Sequence, residues 1–309
     1  MAYEIVADSI EDREHWLAKR REGIGGSDIP AILGLSEWQS PLSVYVDKLG
    51  LNDDGGAREA QEWGLLLEPL ILTRWGQQTE RAVERAGKLL RSKEIPFAQA
   101  TLDGVQHVVK PRAKGPGGRW TKGSVQIKNY GGYLKWSDAV PPDVWAQCQW
   151  EMGVAEYPFC SAVALLNGNK LVWADIEFDD RFFSTIAVPA AEEFWVRVQS
   201  GIPPAPDGSD ISHAALKKLY PNDLGTTVEL PPEFAMFDAE REEIKARIKE
   251  DEKRLRELNN TILFAIGDNT YGTIGNVRYT ARWQSKKAYT VEASESRPLL
   301  RHAFKASGR

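Results

Sequence analysis

Thr101-Leu102-Asp103-Gly104, a basic hairpin-like insert, and then Ser124-Val125-Gln126-Ile127-Lys128-Asn129 form the stretch on which the reading of this chain turns. Side chains alternate between the faces of a strand, so Gln126 and Lys128 project together while Val125 and Ile127 project oppositely. Asp103 ends a short apolar run, and it meets the polar pair if the two strands are neighbours. One carboxylate, one carboxamide and one ammonium then stand together at the edge of a sheet. Taken alone, the group also has a purely structural reading, in which Asp103 and Lys128 are an ion pair.

The rest of the chain bounds what such a group can do. Its 309 residues suit one large domain or a domain with an appendage, and 42% hydrophobic with 27% charged residues describes a soluble globular protein. Cys148 and Cys160 have no metal-ligand spacing, which argues against a disulfide framework or an iron–sulfur cluster and for a reducing cytoplasm. No apolar leader opens the sequence, and no run approaches the roughly 20 apolar residues of a membrane helix. A net charge of −5 argues against a protein that coats DNA non-specifically. The positive charge is nevertheless clustered, in Lys19-Arg20-Arg21 and in Lys110, Arg112, Lys114, Arg119 and Lys122. Each cluster alone reads as a solvated face; two that flank one acidic motif point toward phosphate.

Working outward from the central stretch, residues 10–22 have helical spacing. Gly25-Gly26-Ser27-Asp28 precedes Ile29, Ile32 and Leu33, a second helix for which Ser27 or Asp28 is a natural N-cap. The glycines and Ser27 either simply start that helix or present its N–H groups to an anion, with Arg21 adding a charge-assisted donor. Trp38 precedes a helix that ends at Gly50. From Ala60 a further helix carries Trp63, Leu66, Leu67, Leu70, Ile71 and Trp75, more apolar surface than an exposed helix bears, so it is expected to be central. Gly64 and Glu68 share a face one turn apart, and Pro69 should bend or open the helix. Glu68 on such a helix needs a partner, either an arginine or a metal. Residues 91–104 read as two short strands broken at Pro96, and 110–123 as a mobile loop over the site. A helix over 143–154 puts Gln147 and Glu151 on one face and reads as half-exposed. Strands on either side of Asn167-Gly168-Asn169 form a closing hairpin, and 182–198 a final helix.

Pro203-Pro204-Ala205-Pro206 is the expected boundary, separating a core over 1–202 from a module over 207–309. In the module, Phe237, Ile244, Ile248, Leu255, Leu258 and Ile262 recur at three, four or seven along a helix over 234–266, a narrow seam interrupted by Asp251. A strand over 277–283 with a return over 288–291 should follow it.

Arg20-Arg21-Glu22-Gly23-Ile24-Gly25-Gly26-Ser27-Asp28 with Ile32-Leu33-Gly34 resembles the opening of YqaJ-type phage recombination nucleases, relatives of phage lambda exonuclease within the PD-(D/E)XK superfamily. Gly64-x-x-x-Glu68-Pro69, Asp103-Gly104, Gln126-x-Lys128 and Ala146-Gln147-x-Gln149 follow in the family's order, over roughly the first two-thirds of the chain. The resemblance implies an α/β, restriction-endonuclease-like core with a mixed sheet flanked by helices, followed by the helix and hairpin module. It implies a Mg²⁺-dependent (or Mn²⁺-dependent) exonuclease that degrades double-stranded DNA from its 5′ ends in recombination. A single-strand annealing protein is the implied partner, and the implied oligomer a ring-shaped trimer. By the same resemblance Glu68, Asp103, Gln126, Lys128 and Gln147 are the catalytic set, and Arg21 and Ser27 hold the terminal 5′-phosphate. Asp103, the residue at 126, the Ile127 carbonyl and Glu68 are the implied metal ligands. On the reading of the residues alone, Gln147 is equally an ordinary polar residue of a helix.

The departure is Gln126, where the family pattern has Glu. Mg²⁺ prefers hard, anionic oxygen ligands, and a carboxamide offers one oxygen and no charge. Cleavage by this form should therefore be weak or absent, whether the glutamine is a trap, a natural loss or a tolerated variant. A non-catalytic DNA-end-binding protein is the first alternative, and a scaffold that does not touch nucleic acid the second.

Overall fold

The structure, a computed structural model, describes residues 3–8, 11–52, 59–111, 118–131, 136, 139–285 and 299–301. It divides into two compact units, residues 1–224 and 225–309.

The first unit is α/β. Its main sheet has five strands in the order β2 (Ala82–Arg85), β5 (Gly104–Pro111), β6 (Gly118–Tyr130), β7 (Phe159–Leu166), β8 (Lys170–Glu177). Only β6 and β7 run parallel; every other pair is antiparallel. A parallel pair needs a crossover, and α5 (Pro142–Ala155) supplies it. The two sheet faces separate by parity. Val125 and Ile127 of β6 and Val163 of β7 pack against Ile71, Leu72 and Trp75 of α4 (Glu59–Thr79). Cys160, Ala162, Ala164 and Leu166 of β7 pack against Val144, Cys148 and Met152 of α5. Small side chains on β7 let α5 approach closely. Burial of each large side chain in these layers contributes about 2 kcal/mol. The mixed sheet flanked by helices that the resemblance implies is thus present.

A second sheet, β1 (Tyr3–Asp8), β3 (Lys88–Ser92), β4 (Gln99–Thr101), carries the chain to Asp103. Helices α1 (Arg13–Arg20), α2 (Ile29–Ile32) and α3 (Pro41–Lys48) lead away from β1, and Gly50 ends α3 with a φ of +70°. The β7–β8 hairpin turns at Asn167 (φ 47°) and Gly168 (φ 73°), as the Asn-Gly pair requires. The expected last helix is α6 (Asp180–Phe182), a π-helical turn (Phe183–Ala187) and α7 (Val188–Ser200) in succession. The extra residue in that turn lays the Phe183 ring over Gly153 of α5, a place that any side chain at 153 would occupy.

Three expectations are corrected. The proline-rich segment does not divide the chain, because α8 (Asp210–Leu219) after it returns to the same core, buries Ala215 and packs on α3; the division falls after Leu224. Residues 118–123 are the first half of β6, not a loop, because Val105 and Val108 of β5 pair with Ser124 and Thr121. The remaining loop residues of the insert, Arg112 and Lys114 among them, lie outside the described residues, as do the side chains of Lys110 and Arg119. Helix α4 buries one face only; Trp63, Leu66 and Leu70 stand exposed on the other, and the helix continues through Pro69.

In the second unit, α9 (Phe234–Ile266) is followed by the hairpin β9 (Tyr271–Ile274), β10 (Val277–Thr280). The partner of the 277 strand therefore precedes it, turning at Gly275, and the expected return over 288–291 lies outside the described residues. Among the described residues, no helix is long and apolar enough to cross a membrane.

Candidate active site

Strand β5 begins at Gly104, opposite Val125, so the end of β6 runs past it and leaves backbone groups without a β5 partner. Asp103 fills that place: its Oδ2 accepts from the Ile127 N–H at 2.7 Å and from Gln126 Nε2 at 2.6 Å. Gln126 and Lys128 project toward α5, as the alternation requires, because Gln126 lies beside Ala162 on the α5-facing side of β7. Gln147 of α5 meets both. Its Oε1 accepts from Lys128 Nζ at 2.8 Å, and its Nε2 donates to Gln126 Oε1 at 3.1 Å and to Glu151 Oε1 at 2.8 Å. Asp103, Gln126, Lys128 and Gln147 are therefore one connected group, whereas Gln149 is turned away and ties α5 to the end of β8 through Glu177 O and Asp179 N.

The direction of this chain of amides follows from its charged ends. The Lys128 ammonium can only donate, so Gln147 must turn its oxygen toward it. The Gln147 nitrogen then faces Glu151 and Gln126, so Gln126 presents its oxygen to Gln147 and its nitrogen to Asp103. Gln126 thus acts toward Asp103 as a hydrogen-bond donor, in the place where a cation would need an anionic oxygen.

Glu68 projects from α4 on the Asp103 side. Burial, and then the Asp103 charge, raise its carboxyl to about 7, opposed by Arg85 and Lys128. Arg85 Nε stands 3.9 Å from Glu68 Oε1, so the arginine partner considered from sequence is present as a long ion pair. Burial likewise raises Asp103 to about 6, against the pull of Lys128 and the Ile127 N–H. Gly64 leaves open space one turn before Glu68: among the described residues, no atom beyond its own stretch of helix lies within 4 Å of where its Cβ would be.

Glu151 is the residue that sequence reasoning missed. It is 1% exposed, and its Oε2 finds no hydrogen-bond partner among the described residues. Burial and the nearby Asp103 push its carboxyl well above the usual range. Gly26 makes room for it, since a Cβ there would sit 2.6 Å from Glu151 Oε1. The signal available is the spacing of four between Gln147 and Glu151. It is outweighed in the sequence because α5 reads as half-exposed, whereas the structure covers the helix nearly all round.

At the other candidate site, the guanidinium that reaches Ser27 belongs to Arg20, with Nη2 3.1 Å from Ser27 Oγ and 3.0 Å from Asp28 Oδ1. Arg20 also bonds Asp47 Oδ2 at 3.2 Å. Arg21 lies instead beside Gly50, its Nη1 3.6 Å from the Cβ position there. Asp28 is the N-cap residue of α2, as expected, and its carbonyl accepts the first helical bond, but its side chain is used elsewhere: its Oδ2 accepts from the Gly25 N–H at 2.8 Å and pairs with buried Lys48 at 2.6 Å. Although burial works upward on Asp28, Lys48 and Arg20 hold its carboxyl below the usual range. With four residues, α2 has little dipole to offer an anion, so any phosphate here must be held by side chains and the exposed Ser27. The Lys19-Arg20-Arg21 cluster is partly neutralised within the chain, Lys19 by Glu22 and Arg20 by its two aspartates. Lys122 stands 5.5 Å from the Tyr157 ring, six residues along β6 from Lys128.

The donor set does not fit a catalytic Mg²⁺ as it stands. Asp103, Glu68 and the Ile127 carbonyl offer oxygens, but the Gln126 amide directs hydrogen at Asp103 Oδ2. Among the described residues, no group of three or more His, Cys, Asp or Glu side chains is arranged to hold a metal ion.

The YqaJ-like viral recombinase domain matches residues 15–158, a span that runs from α1 through Asp103, Gln126, Lys128 and Gln147. The uncharacterized protein YqaJ of Bacillus subtilis (strain 168) is 33% identical over 295 residues, which are 91% of this chain and 86% of that protein. An alkaline exonuclease, LHK-Exo from Laribacter hongkongensis, superposes with a TM-score of 0.47 at 17% identity, over 61% of this chain and 94% of its own. A phage related exonuclease from Haemophilus somnus 129PT gives a TM-score of 0.40 at 11% identity, over 60% and 99%.

Proposed function

The chain belongs to the YqaJ-like viral recombinase family, and on that footing we propose that it is an exonuclease of double-stranded DNA ends, acting 5′ to 3′ in phage-type recombination, whose present form cuts weakly or not at all. The observation that carries the reading is the convergence of Asp103, the residue at 126 and Lys128 from two adjacent strands, completed by Gln147 and approached by Glu68. Hydrolysis of a phosphodiester requires an oriented water and positive charge near the phosphate. Lys128 supplies the second, and Gln147 Oε1 fixes where its ammonium stands. Arg21 and Ser27 are the proposed holders of a terminal phosphate, and a ring-shaped trimer and a single-strand annealing partner come with the family reading. The cell compartment that goes with it is the cytoplasm of a bacterium or phage-infected host.

Gln126 leaves end binding in place and disables cutting, because it satisfies Asp103 without a metal. The test uses linear duplex carrying a 5′-phosphate, with Mg²⁺ or Mn²⁺, and compares the present chain with Gln126→Glu. The expected result is end binding by both and strong cleavage by the substituted chain only. If the substituted chain binds Mg²⁺ and DNA ends but does not cut, this is not the catalytic strand. If neither chain binds duplex ends, the nuclease reading fails as a whole.

A further inference from the structure

Helix α9 of the second unit carries a seam whose apolar positions the described residues of that unit leave exposed. Phe234, Phe237, Arg241, Ile244, Ile248, Asp251, Leu255 and Leu258 follow at strictly alternating spacings of three and four, the a and d positions of a coiled coil. The six apolar members are 38–59% exposed. Within the unit the β9–β10 hairpin packs at the far end of the helix, where Gly272 meets Ile266. Residues 299–301 lie on an adjoining stripe, with Arg301 on Asp238 and the Leu299 carbonyl 3.4 Å from Arg241. Two of the eight seam positions are charged, with opposite signs, and that determines what can cover the seam.

We infer that α9 pairs antiparallel with α9 of a second copy of this chain, in the one register that sets Arg241 against the partner's Asp251. In an antiparallel pair an a residue faces a d residue. With Arg241 facing the partner's Asp251, Ile244 faces Ile248, Phe237 faces Leu255, and Phe234 faces Leu258. Every layer is then apolar on apolar or cation on anion, and the two-fold axis repeats each layer. A shift of one heptad puts Arg241 on Leu258 and Asp251 on Ile248; the opposite shift puts Arg241 on Ile244 and Asp251 on Phe234. A parallel in-register pair sets Arg241 on Arg241 and Asp251 on Asp251. Each alternative sets a charged core residue against an apolar side chain or against its like, and the Glu242 carboxylate 3.5 Å from Arg241 on its own helix does not replace a partner across the seam. A single polar layer is a known means of fixing register and orientation in coiled coils. The flanking positions do not select in the same way: Glu240 faces Arg254 of the second copy, but Lys245 and Arg247 approach their own counterparts. Selection therefore lies in the two charged core layers. The overlap, about 25 residues, is roughly 37 Å long, and the pairing is independent of the nuclease reading.

Charge reversal tests it in the full-length chain by sedimentation equilibrium. Arg241→Asp and Asp251→Arg each place like charges in both core layers, so each alone should weaken self-association through this seam roughly 100-fold, about tenfold per layer. Mixing the two singly substituted chains restores opposite charges in both layers and should restore the association, as should combining both reversals in one chain. Any assembly made through the first unit is untouched by these changes, so failure here is distinguishable from failure of an expected trimer. Disulfide trapping is the second measurement: Arg241→Cys mixed with Asp251→Cys should cross-link under mild oxidation, and neither should alone. Cross-linking of Arg241→Cys to itself would establish parallel pairing and overturn the inference. Unchanged association of both single reversals would overturn it too, and would assign the seam to the same chain or to a different protein.

Discussion

Replacing Gln126 by Glu converts the shortest side-chain contact of the candidate site from a hydrogen bond into a repulsion. Gln126 Nε2 lies 2.6 Å from Asp103 Oδ2. A carboxylate oxygen in its place sets two negative charges about 4 Å apart between their centres, worth about 4 kcal/mol at an effective dielectric constant near 20. Asp103 already sits at about 6 through burial, so the pair should keep one shared proton at neutral pH. The folded state then binds more protons than the unfolded one, and the substituted chain should lose stability as pH rises from about 5 to 8. Mg²⁺ should reverse the loss, because a dication stabilises the doubly ionised pair that the proton otherwise prevents. At a concentration 100 times its Kd the gain is about 2.7 kcal/mol, or roughly 5–10 °C in Tm for a domain of this size. The assay is thermal melting at pH 8 with and without Mg²⁺ for both chains, without DNA. The present chain, whose Asp103 is satisfied by the amide, should shift by no more than a degree or two. Equal shifts in the two chains would show that the metal binds elsewhere, and a substituted chain that is insensitive to pH and metal would mean that the introduced carboxylate turns away from Asp103.

Glu68 holds its proton up to about 7 against 4.5 when unfolded, so the stability it contributes is present below 4.5 and is lost as pH rises through 7. Glu68→Gln should therefore match the present chain in urea melts near pH 4.5 and exceed it by about 3 kcal/mol at pH 8; parallel curves would remove Glu68 from the buried group. Gly26→Ala should cost about 1–3 kcal/mol through the clash with Glu151, and Glu151→Ala in the same chain should recover most of it. If the double variant is no more stable than Gly26→Ala, the clash is not the cause. Arg20→Ala should destabilise the fold by leaving Asp28 and Asp47 short of a partner, while Arg21→Ala should reduce the preference for 5′-phosphorylated over 5′-hydroxyl ends. Equal loss for both ends would make Arg21 a general backbone contact. A chain ending at Leu224 should fold and bind duplex ends, whereas one ending at 206 should not fold, having lost α8 and Ala215 from the core; a folded 206-residue chain would restore the boundary at the prolines.

What could be read from the sequence was what strand alternation and turn chemistry decide locally. Val125 and Ile127 do face α4 while Gln126 and Lys128 face α5, and Asn167-Gly168 does turn the last hairpin. What could not be read depended on partners distant in sequence. The stretch 118–123 has glycine at both ends and two basic residues around Trp120 and Thr121, so its local signal is mixed, and pairing with β5 decides for strand. The prolines at 203–206 mark a break in helix, but whether the next helix returns to the same core depends on its fit to α3. Arg20 and Arg21 differ by one step of helical phase, about 100°, and that step decides which of them reaches Ser27.

Position 126 shows the limit most sharply. The missing charge is visible in the sequence as a single residue, and shape alone makes glutamine a neutral copy of glutamate. Its physical effect depends on which way the amide points, and nothing within 124–129 determines that. Lys128 orients Gln147, Glu151 accepts from it, and Gln147 in turn orients Gln126. Two of those four residues sit on a helix that reads as half-exposed, and one, Glu151, is held in place by the absence of a side chain at Gly26 more than a hundred residues earlier. With the amide so directed, Gln126 is more than a weaker ligand: it occupies the bonding capacity of Asp103 Oδ2 with a hydrogen, and a cation must break that bond to enter. Loss of cleavage should for that reason be more complete with glutamine at 126 than with alanine, which leaves Asp103 open to a metal.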